Sequence, residues 1–173
     1  MSAVTIFLCG AGSRGRTVFG KFALENPELA RVVGVAEPDP KKRALAKQEH
    51  NLHDSQVFSD WRDVPRDKAL SDVMIVATHD RDHLEPSLAF FEAGYHLLLE
   101  KPMASTLKEC RQIVEASEKS GAISAVCHVL RYTPYFKKMK QLIDQGTVGK
   151  AAPIRHFEPV NYWLFAHSFV RGN

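Results

Sequence analysis

The sequence predicts an α/β protein built on a doubly wound parallel sheet, followed by a tail that reads as the opening of a further domain. Three observations carry this. Short, nearly all-apolar runs alternate with amphipathic helical stretches from Thr5 to Gln145, the pattern of a parallel sheet covered on both faces. The first of these runs leads into Gly10-Ala11-Gly12-Ser13-Arg14-Gly15 and then into a helix. The second ends in a carboxylate, Glu37, 22 residues after Gly15.

A bare G-x-G-x-x-G is weak evidence, because glycines recur by chance in loops. Its flanks decide here. Ile6-Phe7-Leu8 reads as a buried strand, Val18, Phe19 and Phe22 fall at helical spacing, and Arg31 to Ala36 is the return strand. In such a unit Gly10 makes the tight turn, Gly12 lets backbone approach a pyrophosphate, and Gly15 lets helix pack on strand. The helix start at Ser13 and Arg14 offers N–H groups and a positive dipole end to that anion. Glu37 stands where a carboxylate accepts the hydroxyls of an adenosine ribose. The loop therefore predicts dinucleotide binding. Glu37 would repel a 2′-phosphate, which favours NAD over NADP, although Lys41 and Arg43 are close enough in sequence to soften the preference.

The remaining elements follow in order. Asp39 before Pro40 is a helix start, and that helix runs through Leu45 and Ala46 to end near His50-Asn51. Trp61 falls in a short connection closed by Pro65. Asp72 to Ala77 is a buried strand. Asp82 and Glu85 have the spacing of a capping box for a helix carrying Leu84, Leu88 and Phe91, which stops at Gly94. Tyr95 to Leu99 is the next strand. Thr106 and Glu109 suggest a second capping box, and Leu107, Cys110, Ile113, Val114 and Ser117 trace one stripe up to Gly121. Ile123 to Cys127 is a strand, and Tyr135 to Gln145 a helix ended by Gly146. From Ala151 to Asn173 the chain becomes an aromatic-rich extended segment, so the expected division is 1–150 for the nucleotide domain and 151–173 for the entry into a further domain.

Composition narrows the function classes. At 173 residues, with Lys plus Arg exceeding Asp plus Glu by three, the chain has too small and too dispersed a positive surplus for a nucleic-acid surface. No apolar stretch approaches the ~20 residues needed to cross a bilayer. Three cysteines without C-x-x-C spacing suit reduced thiols, and the N-terminus lacks the features of a signal peptide, so the expected setting is cytoplasmic. Eight histidines form no ligand set: His79 and His83 are four apart, but no third ligand accompanies them, so no metal is expected. His128 follows a strand and reads equally as a pocket-edge or a structural histidine. Trp163, Phe165 and Phe169 are read as a core stripe awaiting its partner sheet.

Ligands of doubly wound sheets sit outside the carboxyl ends of the strands. There Glu100-Lys101-Pro102 follows a buried strand directly. Taken alone, the tripeptide is a strand-end ion pair. Taken with the glycine loop, Glu37, Ala77-Thr78 followed by His83, and Arg131-Tyr132-Thr133-Pro134 leading to Gly146-Thr147-Val148-Gly149, it resembles the N-terminal part of the Gfo/Idh/MocA oxidoreductases across residues 1–150. The resemblance implies a Rossmann domain with NAD(P) bound by Gly10, Gly12, Ser13, Arg14, Gly15 and Glu37. It places Thr78, His79 and His83 along the nicotinamide side, and Glu100 and Lys101 against the nicotinamide ribose and the substrate. Lys101 is the expected catalytic residue, and the Lys101–Pro102 bond is expected to be cis.

The implied substrate is a sugar, cyclitol or related polyol, and the implied full-length form is a homo-oligomer. Family members continue into a C-terminal domain that completes the substrate site, and the tail here reads as the entry into it, cut short. Two other readings compete: a glycosidase that oxidises its sugar transiently, and a non-catalytic NAD-binding sensor or interaction module.

Overall fold

In a computed structural model, which describes residues 2–66, 70–150 and 152–166, the strands are β1 (Val4–Cys9), β2 (Ala30–Ala36), β3 (Val57–Phe58), β4 (Val73–Val76), β5 (His96–Leu99) and β6 (Ser124–Val126). They form one sheet in the order β3-β2-β1-β4-β5-β6, and every neighbouring pair is parallel. This order, with its reversal beside β1, is that of a dinucleotide-binding Rossmann sheet and puts the switch point between β1 and β4.

The expected buried strands form because their side chains are apolar on both faces. Along β1, Phe7 and Cys9 point into one core with Met74, Val76, Leu97 and Leu99, while Ile6 and Leu8 point into the other with Val32, Val35 and Ile75. Alternation of side chains along a strand makes this division. The first core is closed by Phe90 and Phe91 of α3 (Leu84–Glu92) and Ile113 of α4 (Leu107–Ser120). The second is closed by Ala23 of α1 (Gly15–Gly20 continued by Lys21–Glu25) and Ala46 of α2 (Pro40–Glu49). Helices thus cover both faces, two on each.

Several helix ends use the chemistry the sequence suggested. Asp39 accepts from the N–H groups of Lys41 and Lys42 at 2.8 and 3.3 Å, with Pro40 in the first turn. Those two bonds, more than the lysine charges, hold its carboxyl below the usual range. Thr106 and Glu109 form a reciprocal capping box, and Gly121 closes α4 in the left-handed region.

Four expectations are corrected. The helix after the glycine loop is π-helical over Gly15–Gly20 before continuing as α-helix over Lys21–Glu25, the two together being α1. Widening the turn shifts the phase of the residues that follow. Val18 and Phe22 are left exposed, and Gly15, Gly20 and Ala23 are buried in their place. Asp82 and Glu85 form no capping box, because Asp80–Asp82 is a 3₁₀ turn and His83 takes the position before α3. The connection before Trp61 contains a strand the sequence did not suggest, β3, paired with Val35 and Ala36. Tyr162–Phe165 is a helical turn, α6, and not extended chain: the Phe165 N–H donates to the Asn161 carbonyl at 3.0 Å. His167 and Phe169 lie outside the described residues.

The chain separates into two compact units, 1–127 and 128–173. In the second unit α5 (Pro134–Asp144) packs on the 3₁₀ turn Val129–Tyr132, which ties α5 to the segment after His128. No helix among the described residues is long and apolar enough to cross a membrane.

Candidate dinucleotide site

β1 delivers the glycine loop to the carboxyl edge of the sheet, and its geometry follows from packing. Gly10 has φ +95° and its N–H donates to the Ala36 carbonyl at 2.8 Å. A Cβ there would stand 2.6 Å from the Ala77 carbonyl oxygen, so both conformation and space require glycine. A Cβ on Gly15 would overlap the Gly10 carbonyl oxygen; its absence lets the helix close on the loop. Gly12 is different, because no atom beyond its own neighbours in the chain lies within 4 Å of where its Cβ would be. Nothing in the protein itself demands glycine at 12. The position lies just ahead of the helix start, where no side chain caps the first turn and the leading N–H groups have no carbonyl behind them within the helix. That arrangement fits a pyrophosphate.

Glu37 follows β2 directly and is 6% exposed. Its Oε2 accepts from the Ala11 N–H at 2.6 Å and its Oε1 from the Asp39 N–H at 3.0 Å. The carboxylate thereby ties the glycine loop to the turn after β2. An ionised carboxylate has about four acceptor sites, so two remain for ribose hydroxyls. The Arg43 guanidinium donates to the carbonyls of Glu37 and Pro38 at 2.6 and 3.0 Å, which fixes a cation beside the same turn.

Across the switch point, β4 leads to Thr78 and β5 to Glu100. Thr78 is half-buried and its hydroxyl donates to the Asp82 carbonyl at 3.1 Å; His79 is exposed at the start of the 3₁₀ turn. Lys101 is exposed, and its peptide bond to Pro102 is cis. Ser13 is also exposed, its carbonyl accepting from the Thr17 hydroxyl.

Two residues make contacts the sequence did not suggest. His83 was expected to line the nicotinamide side but is 0% exposed. Its Nδ1 donates to the Pro102 carbonyl at 2.8 Å, and Nε2 stands 3.3 Å from the Thr78 carbonyl. It is a clamp beneath two site loops, because the 3₁₀ turn carries the chain inward before α3 begins. Arg14, expected to offer its N–H to the pyrophosphate, turns its guanidinium to Glu100, with Nε and Nη2 each 2.7 Å from Oε1. Glu100 is itself 3% exposed. The sequence held no signal of this pair, since 86 residues separate its members.

The two thiols at this edge are held in the protonated form. Burial, then the carboxylates of Asp60 and Glu37, pushes the Cys9 thiol far above its ordinary value. Cys127 is pushed up to about 11, by burial first and then by the Glu100 carboxylate, with Arg14 opposing. Neither is suited to act as a nucleophile at neutral pH. Among the described residues, no group of three His, Cys, Asp or Glu is placed to hold a metal ion.

A family model described as an oxidoreductase family with an NAD-binding Rossmann fold matches residues 4–128. The chain belongs to the Gfo/Idh/MocA oxidoreductase family. The matched segment is the family's NAD-binding domain, and its sheet order and glycine loop are those described above. Among relatives, inositol 2-dehydrogenase 2 of Saccharopolyspora erythraea is 35% identical over 123 residues, which are 70% of this chain and 35% of that protein.

Solved structures agree in fold. A levoglucosan dehydrogenase in complex with NADH and levoglucosan superposes with a TM-score of 0.74 at 27% identity, over 86% of this chain and 41% of that one. The scyllo-inositol dehydrogenase of Lactobacillus casei, with NAD(H) and scyllo-inositol bound, gives 0.73 at 21% identity, over 86% and 43%. The chain therefore spans less than half the length of these Gfo/Idh/MocA relatives.

Proposed function

We propose that this chain is the cofactor-holding part of an NAD-dependent dehydrogenase of sugars, cyclitols or related polyols. The observation that carries the reading is the meeting, at one sheet edge, of an open position at Gly12, a buried carboxylate at Glu37 and an exposed lysine at Lys101. The relatives named above act on inositol and levoglucosan, which supports a polyhydroxylated ring as substrate.

Each residue has its part. The N–H groups after Gly12 hold the pyrophosphate, and Glu37 accepts ribose hydroxyls while excluding a 2′-phosphate. Bound NAD supplies the hydride acceptor. Lys101 would donate a hydrogen bond from Nζ to the substrate oxygen and polarise it as the hydride leaves the carbon, with the hydroxyl proton passing to solvent, a role its place beyond the strand end allows. His83 and Glu100 keep the lysine segment in place from below. A lid or second wall is required to align the substrate, since orientation supplies ~7–11 kcal/mol of such a barrier.

Fluorescence titration of the 173-residue chain with NADH and NADPH tests the cofactor reading. Saturable binding with NADH the tighter ligand is expected, and tighter NADPH binding would overturn the assignment of Glu37. Turnover of inositols and anhydrosugars by a form of the protein carrying a C-terminal substrate domain, lost on Lys101→Ala with NADH affinity retained, tests the chemistry. Cofactor binding with no turnover of any polyol would favour a sensor.

A further inference from the structure

Arg14 is the fifth residue of the glycine loop, directly before the π-helical turn, and Glu100 stands one residue past β5. Both guanidinium contacts fall on one oxygen, Oε1, at 2.7 Å. The other oxygen, Oε2, accepts from the main-chain N–H of Lys101 at 3.1 Å. The Glu100 side chain is 5% exposed and that of Arg14 41%, and the guanidinium also lies 5.7 Å from the centre of the Phe19 ring. An unbroken path of contacts thus runs from the helix start to the backbone of Lys101.

The energetics of this path are lopsided. A carboxylate buried to this degree is costly to keep charged unless a cation meets it, and Arg14 is the cation that meets Glu100. A guanidinium turned instead to a bound phosphate would leave Glu100 uncompensated. Arg14 therefore has a stronger tie inward than outward.

We propose that Arg14 is a positioning residue acting through Glu100 on the main chain of Lys101, so that the phosphate loop and the lysine segment are set as one unit. This rests on the assignment of Lys101 and the glycine loop under the proposed function. It also accounts for the spacing of contacts: two donors on one oxygen lock the carboxylate's rotation, and the locked carboxylate presents its second oxygen to the Lys101 N–H. A lysine at position 14 could supply the charge but not the paired donors in a fixed plane.

Two measurements decide it. In the ¹⁵N-labelled, cofactor-free chain, Arg14→Gln should speed amide hydrogen exchange at Lys101 about tenfold, the equivalent of one modest hydrogen bond. Protection of Leu97, Leu98 and Leu99 should stay as in the parent, and Arg14→Lys should fall between. Unchanged exchange at Lys101, in Arg14→Gln or in Arg14→Lys should the former not fold, overturns the proposal. So does a uniform rise across β5, which would mark Arg14 as a merely structural contact.

In NADH titration, Arg14→Gln should weaken binding about tenfold, and Arg14→Gln/Glu100→Gln should recover part of that loss, because removing both charges leaves no buried carboxylate unpaired. Losses that multiply would mean Arg14 and Glu100 touch the cofactor independently, and would overturn the proposal. Should the parent chain bind no NADH, the functional reading fails, while the exchange experiment still decides the role of Arg14.

Discussion

The carboxyl edge of the sheet carries two buried carboxylates, one on each side of the switch point. At the end of β2, Glu37 is satisfied by two neutral main-chain N–H groups, those of Ala11 and Asp39. At the end of β5, Glu100 is satisfied by a guanidinium and by the Lys101 N–H. On the β2 side one partner is two residues away and the other lies in the loop of the adjacent strand, so pairing β1 with β2 creates the site. On the β5 side the decisive partner comes from 86 residues away. The first arrangement is a consequence of strand pairing, while the second depends on one side chain crossing the switch point. The β2 side of the edge is thus built by the backbone, and the β5 side by side chains.

The largest expected effect tests the backbone-built side. Gly12→Val should abolish NADH binding in fluorescence titration while leaving the thermal midpoint near that of the parent, because no atom beyond the neighbouring residues lies within 4 Å of the added Cβ. Retained binding would show that the pyrophosphate sits elsewhere. Gly15→Ala should do the reverse through the fold, losing about 3 kcal/mol or more in urea unfolding, since its Cβ has no room beside the Gly10 carbonyl. A stable Gly15→Ala protein would mean that the helix can withdraw from the loop.

The side-chain-built half is sharpened by His83→Ala. Removing a fully buried ring that links Pro102 to Thr78 should cost about 2–4 kcal/mol in the same urea measurement. It should also raise hydrogen exchange in the loops after β4 and β5 more than in the glycine loop. Equal loosening of both halves would erase the contrast drawn here.

Glu37→Gln is the milder test of the β2 side. It keeps the shape but weakens the acceptors to Ala11 and Asp39, at about 1.5–3 kcal/mol for a charged hydrogen bond. It should also narrow the gap between NADH and NADPH affinities, with Arg43 already placed on the turn. An undiminished preference for NADH would remove Glu37 from cofactor choice.

The smallest effect lies away from the site, at the start of β4. The hydroxyl and main-chain N–H of Thr5 donate to Asp72 Oδ2 at 2.6 and 2.7 Å and hold its carboxyl below the usual carboxylate range. A carboxyl depressed in the folded state adds stability above its unfolded pKa, and that contribution is lost as pH falls through the folded value. Asp72→Asn should therefore lower the thermal midpoint slightly at pH 7, and the difference should shrink below pH 4. It should leave NADH affinity unchanged. A change in affinity would show that the two ends of the sheet are coupled.

Much of this was legible in the residues alone. The strands from Val4, Ala30, Val73 and His96 announce themselves because chain buried on both faces must be apolar throughout. Asp39-Pro40, the Thr106 and Glu109 pair, and Gly121 mark helix ends because capping is local chemistry. The glycine loop and Glu37 could be placed because turn, helix start and return strand follow one another closely in the chain. What tertiary structure alone decided has a common cause, partners distant in sequence or a local shift of helical phase. β3 is two residues long and exists because Val35 and Ala36 offer it a free edge. The π-helical turn after Gly15 rotated Val18 and Phe22 out of the core and let small residues in. His83 was buried by two loops that converge only in the folded chain, and Arg14 was drawn to Glu100 because a carboxylate excluded from water takes the nearest cation that folding brings to it.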